Sequence, residues 1–71
     1  MAEEVREALR ILRRRQVEAQ TGLSRSTLYD YIRAGRFPPA VRVGSRAVGW
    51  VASEVDAWLA LQVERSRSNA A

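Results

Sequence analysis

The 71-residue chain contains no cysteine and no histidine. Disulfides and metal sites built on those ligands are therefore excluded, and the missing disulfides fit a reducing cytoplasm. Neither residue type is there to act as nucleophile or base, the acids are scattered, and no glycine-rich loop cradles a phosphate. The sequence thus predicts neither an enzyme nor a cofactor. No apolar run reaches transmembrane length, and the acidic beginning of the chain is unlike a signal peptide, so no membrane partner is expected. Lysine is also missing: all 12 cations are arginine. A guanidinium can grip a phosphate or a guanine edge through two parallel hydrogen bonds, although coding in a GC-rich genome produces the same bias.

What is present is unevenly placed. Residues 10–46 hold Arg10, Arg13, Arg14, Arg15, Arg25, Arg33, Arg36, Arg42 and Arg46 against only Glu18 and Asp30, a local balance of +7. The segments on either side sum to −2 and −1, which returns the net +4 of the whole chain. A positive field concentrated in the middle favours a polyanionic partner.

That middle contains the most informative stretch, Thr21-Gly22-Leu23-Ser24-Arg25-Ser26-Thr27-Leu28-Tyr29. Gly22 suits a turn of positive φ, Leu23 anchors it, and Ser24 can cap the helix that follows. The pattern reads as the turn and second helix of a helix-turn-helix, with the first helix over residues 14–21 and the second over 24–34. Val17 and Thr21 fall on the inner face of the first. Leu28 centres the buried face of the second, flanked by Tyr31 and Ile32, while Ser26, Tyr29, Asp30 and Arg33 lie opposite with Arg25 at the edge. Gly35 follows as a C′ residue.

The flanking segments complete a domain. Phe37-Pro38-Pro39 forbids helix and stiffens a link. Val41-Arg42-Val43 and Ala47-Val48-Gly49-Trp50 around Gly44-Ser45-Arg46 read as a small hairpin. Ser53 starts a further helix with Asp56 three residues on, and Val55, Trp58, Leu59 and Gln62 mark its inner face. The expected fold is mainly α with a small β-hairpin, a winged helix-turn-helix. Its boundaries are an N-terminal helical extension over residues 1–12, the DNA-binding domain over 13–64 and a flexible polar tail over 65–71. Within the extension, Val5, Ala8, Leu9 and Leu12 make an apolar stripe over residues 3–12. The helix either runs on or stops near Arg10 with Ile11-Leu12 extended, and the stripe either folds back on the core or meets a second copy.

Residues 12–59 resemble the AlpA-type phage regulators, related to excisionases and the MerR-like winged-helix group. The resemblance is carried by the block from Thr21 to Tyr29, by Gly35-Arg36-Phe37-Pro38, by the segment from Val41 to Trp50, and by Ser53-Glu54-Val55-Asp56-Ala57-Trp58-Leu59. It implies a small cytoplasmic protein of a mobile element that binds double-stranded DNA. The implied role is regulation of integrase or excision genes, or direct action as a recombination directionality factor. An integrase or RNA polymerase is the protein partner such a role would call on.

The DNA-binding set expected on these grounds is Ser24, Arg25, Ser26, Thr27, Tyr29, Arg33, Arg42, Ser45 and Arg46. Arg25 and Ser26 lie at the helix end that enters a groove, Thr27 and Arg33 suit phosphate, and the resemblance places an arginine at Arg46 in the wing. Tyr29 either meets DNA or packs on the helix surface. Asp30 pairs with Arg33 or Arg25, or reads a cytosine amino group. The cluster Arg13-Arg14-Arg15 either meets phosphate at a helix N-terminus or is solvated. Trp50 and Trp58 suit the core better than base stacking. One such domain covers few base pairs, so cooperative self-association on repeated sites is expected. The competing classes are an RNA-binding basic protein and a protein-interaction adaptor of winged-helix shape. Preference for single strands would mark the first, and absence of salt-sensitive duplex binding the second.

Overall fold

The computed structural model describes residues 9–69. In chain order the elements are β1 (Ile11–Leu12), α1 (Arg14–Thr21), α2 (Arg25–Arg33), β2 (Val41–Arg42), β3 (Val48–Val51) and α3 (Ala52–Asn69). Three helices and a small antiparallel sheet give the mainly helical winged arrangement that the sequence predicts. The hairpin forms as β2–β3, with Val41 opposite Gly49 and Arg42 opposite Val48, and Val43 N–H donates to the Ala47 carbonyl at 2.9 Å beyond the strands.

The sheet has a third strand. β1 pairs with β3 on the side away from β2, Ile11 opposite Val51 and Leu12 opposite Trp50. Of the two readings of the N-terminal extension, the extended Ile11-Leu12 is the one adopted. Most of the predicted first helix falls on residues 1–8, outside the described residues. The extension at Ile11-Leu12 follows from what it buries: Leu12, beside Trp50, is 3% exposed. A two-stranded hairpin is marginal alone, and the added strand covers the edge of β3 that β2 leaves open.

The core draws on every layer. Leu12 of β1, Val17 of α1, Leu28 of α2, Phe37 of the link, Trp50 of β3, and Ala52 and Val55 of α3 form one buried cluster. Leu23, Tyr29, Tyr31, Ile32, Trp58 and Leu59 pack around it, half-buried. Val17, Leu28 and Val55 are the residues that helical periodicity turns inward, so pattern and packing agree.

α3 departs from expectation at both ends. It begins at Ala52, one residue ahead of Ser53, because β3 passes directly into it: Ala52 N–H donates to the Arg10 carbonyl at 2.8 Å, so the sheet satisfies the first helical donor. At the other end the helix runs on to Asn69, where the sequence predicts a polar tail from Arg65. Nothing from Ala52 to Asn69 is glycine or proline, and Arg65 and Arg67 near the C-terminus suit the helix dipole. Asp56 accepts from Gln20 Nε2, which ties α3 to α1.

Gly49 is where β1 meets the hairpin. A Cβ built there would collide with the Ile11 side chain and lie 2.9 Å from the Leu12 carbonyl oxygen. Gly49→Ala is therefore expected to cost about 1–3 kcal/mol as an overpacking change. That lowers the melting temperature of a domain this small by roughly 4–8 °C per kcal/mol, read by thermal denaturation. Unchanged melting would show that β1 does not press on β3 as described.

Candidate nucleic-acid interface

The corner between α1 and α2 is built from local hydrogen bonds. Gly22 takes φ 76°, and its N–H donates to the Glu18 carbonyl at 2.8 Å, ending α1 in a left-handed cap. Thr21 Oγ1 donates to the Val17 carbonyl at 2.7 Å and accepts from Leu23 N–H at 3.2 Å, binding the turn to the helix before it. Ser24 is the N-cap of α2: its Oγ accepts from Thr27 N–H at 3.2 Å and donates to Thr27 Oγ1 at 3.0 Å. Three residues, Gly22 to Ser24, thus turn the chain between two helices that both bury a residue in the core, Val17 and Leu28.

The nine expected DNA-binding residues fall into three environments. Arg25 and Ser26 are exposed at the start of α2, and Ser24, also exposed, precedes them. Thr27 and Tyr29 are half-buried. Thr27 is held by Ser24, and the Tyr29 ring packs edge-on against Trp50, centroids 6.5 Å apart, so packing engages its ring. Arg33 is exposed and ion-paired with Asp30, the partner chosen over Arg25. On the wing, Arg42, Ser45 and Arg46 are all exposed. Arg42 stands opposite Val48, on the same face of the sheet as Trp50 and Leu12, and both Arg42 and Val48 are exposed there.

The N-terminal arginines divide as well. Gln16 Oε1 accepts from Arg13 N–H at 2.8 Å, whereas the Arg13 guanidinium, having only donors, cannot return a bond to the helix end. Arg14 pairs with Glu18 along α1, and Arg15 is exposed.

The placement of α2 against the wing rests on residues that sequence reasoning put in the core without assigning them a partner. Trp50 Nε1 donates to the Pro38 carbonyl at 3.1 Å, and Trp58 Nε1 to the Arg36 carbonyl at 2.6 Å. Phe37, between those carbonyls, meets Trp58 edge-on at 4.8 Å. Tyr31 also leans on Trp58, and Arg36 stacks over the Tyr31 ring at 4.8 Å from its centroid. The available signal was chemical: a buried indole N–H needs an acceptor, and the link offers carbonyls free of any strand. Among the described residues no helix is long and apolar enough to cross a membrane.

A family model described as prophage CP4-57 regulatory protein (AlpA) matches residues 10–63. That span begins just before β1 and contains all nine expected site residues. The uncharacterized protein ORF88 of Enterobacteria phage P4 is 53% identical over 51 residues, covering 72% of this chain and 58% of that protein. The DNA-binding transcriptional activator AlpA of Escherichia coli (strain K12) is 38% identical over 60 residues, covering 76% of this chain and 86% of that protein. The chain therefore spans little more than half the length of the phage P4 relative and most of the Escherichia coli one. No solved structure gives a significant match.

Replacing Trp50 by phenylalanine keeps an aromatic ring but removes the donor to Pro38. The expected loss is about 1–3 kcal/mol for the orphaned carbonyl, in addition to any cavity, measured by urea unfolding. Wild-type stability in Trp50→Phe would mean that the indole bond does not help hold the link.

Proposed function

This chain belongs to the AlpA family of prophage regulatory proteins, and from that premise we infer that it binds double-stranded DNA and regulates transcription from a mobile element. The family is one of regulators, not enzymes. In this reading α2 is the recognition helix and enters the major groove with Arg25 and Ser26 toward base edges. Ser24, Thr27 and Arg33 serve the flanking phosphates, with the Tyr29 hydroxyl at the border. The wing, through Arg42, Ser45 and Arg46, lies on the backbone or in the minor groove.

One observation carries the reading. The solvent face of α2 and the tip of the wing are separate in sequence, both expose arginine, and the same pair of tryptophans fixes the link between them. A small surface of this kind reads few base pairs, so cooperative loading of several copies on repeated sites belongs to the proposal. RNA polymerase is the protein partner that an activating role requires. Action as an excisionase together with an integrase is the alternative use of the same surface. Either role keeps the protein with the DNA in the bacterial cytoplasm.

The test is fluorescence anisotropy of the protein with labelled duplex, single strand and RNA across a salt series. Duplex binding that weakens steeply with salt is expected, because phosphate contacts release counterions. Both Arg25 and Arg46 are exposed, so Arg25→Ala with Arg46→Ala leaves the fold intact. It should weaken duplex binding by about ten- to a hundredfold and lower the salt slope by about one for each phosphate contact removed. Binding that the double variant retains would remove these residues from the interface. Preference for RNA or single strands, or no nucleic-acid binding at low salt, would transfer the protein to the RNA-binding or adaptor class.

A further inference from the structure

Asp30 is out of place on a surface that meets DNA. It is the only carboxylate between Glu18 and Glu54, a span that carries Arg25, Arg33, Arg36, Arg42 and Arg46. Glu18 is occupied by Arg14 on α1. Asp30 stands on the solvent face of α2, one turn beyond Ser26, and it holds Arg33 from the next turn. The side chains of Asp30 and Arg33 are 63% and 72% exposed. A pair so exposed adds little to stability, since water screens it. Its consequence falls on binding: the carboxylate repels phosphate and neutralises one of the cations that would otherwise attract it.

We propose that Asp30 determines specificity, withholding Arg33 from phosphate on non-matching DNA and releasing it when a cytosine amino group in the major groove takes its place. This rests on the reading of α2 as the recognition helix. The choice of cytosine follows from donor and acceptor chemistry. Guanine and thymine present only acceptors there, which an ionised carboxylate repels, and adenine sets N7 beside its amino group. Cytosine presents N4–H2 with no acceptor of its own alongside. On a matching site the carboxylate accepts from N4, the guanidinium is freed, and one further phosphate contact forms. On any other sequence the carboxylate stays on Arg33 and that contact is missing. The acid thereby weakens non-specific binding more than specific binding, which is how a repulsive group raises selectivity.

The experiment compares the wild type with Asp30→Asn, Asp30→Glu, Arg33→Ala and the Asp30→Asn, Arg33→Ala double variant. Each is measured on random duplex and on a duplex selected by the wild type from a randomised library. For the wild type the salt slope should be steeper by about one on the selected site than on random duplex. Replacing the selected cytosine should cost the wild type about ten- to a hundredfold in affinity. Asp30→Asn should bind random duplex several-fold tighter, with equal salt slopes on the two DNAs and no cytosine preference at that position. In the Arg33→Ala background most of the gain on random duplex should disappear. Asp30→Glu keeps the charge and should keep the cytosine preference. Thermal melting of each variant near the wild-type value confirms that folding is unaffected.

An Asp30→Asn protein that selects the same motif, or that gains equally on every DNA, overturns the proposal while leaving duplex binding in place. A gain that persists undiminished without Arg33 overturns the withholding step. Failure of the wild type to bind any duplex overturns the DNA-binding reading and this proposal with it.

Discussion

Two indole N–H groups decide where α2 and the wing stand relative to one another. The chain leaves α2 at Arg33 and reaches β2 at Val41 through a link that has no strand or helix of its own. Its carbonyls at Arg36 and Pro38 are taken by Trp58 from α3 and Trp50 from β3. Phe37 lies between them, 4% exposed, with its ring edge-on to Trp58. Pro38 and Pro39 contribute no N–H, so the link has few donors to satisfy, and the indoles supply what its acceptors need. Tyr29 of α2 adds a direct contact, packing edge-on against Trp50 of β3.

The economy of this arrangement follows from size. A domain this short buries a smaller share of its surface than larger ones, and here one cluster draws on the link and on every element except β2. None of those residues is charged. Both ion pairs formed among the described residues, Arg14 with Glu18 and Arg33 with Asp30, are local contacts within single helices. Among the described residues every arginine except the half-buried Arg14 is exposed, and their mutual repulsion is a standing cost that a bound polyanion would relieve. A protein of this kind gains stability by mass action when it meets such a ligand.

The legible parts of the fold were those whose signals are local. Gly22 and Ser24 announce the turn because left-handed backbone and N-capping are properties of single residues, and both geometries are found where the sequence puts them. Leu28 and Val55 are inward because helical phase fixes them. The hairpin was legible from its alternation around Gly44-Ser45-Arg46. By contrast, β1 has two residues, too few to show any period, and its pairing with β3 joins residues about forty positions apart. The polar composition after Arg65 suggests a tail, yet nothing there stops a helix, and α3 continues to Asn69. Asp30 gave three readings because a charge pattern names possible partners without choosing; the structure pairs it with Arg33.

The split between local and non-local carries over to the interface itself. The groups proposed to touch DNA sit in short, self-sufficient pieces: a capped helix start and a hairpin tip. Their mutual position is set elsewhere, by β1 against Gly49, by Trp50 and Trp58 on the link, and by Gln20 reaching Asp56 between α1 and α3. These contacts join distant parts of the chain, so closing them costs loop entropy that the helices alone do not incur. Substitution in the short pieces therefore acts on what is read, whereas substitution at Gly49, Trp50 or Trp58 acts on whether both pieces can be applied to one duplex at once. On the proposed binding mode, the second kind of change leaves every DNA-contacting side chain unaltered and acts on the spacing between helix and wing, on which their joint binding depends.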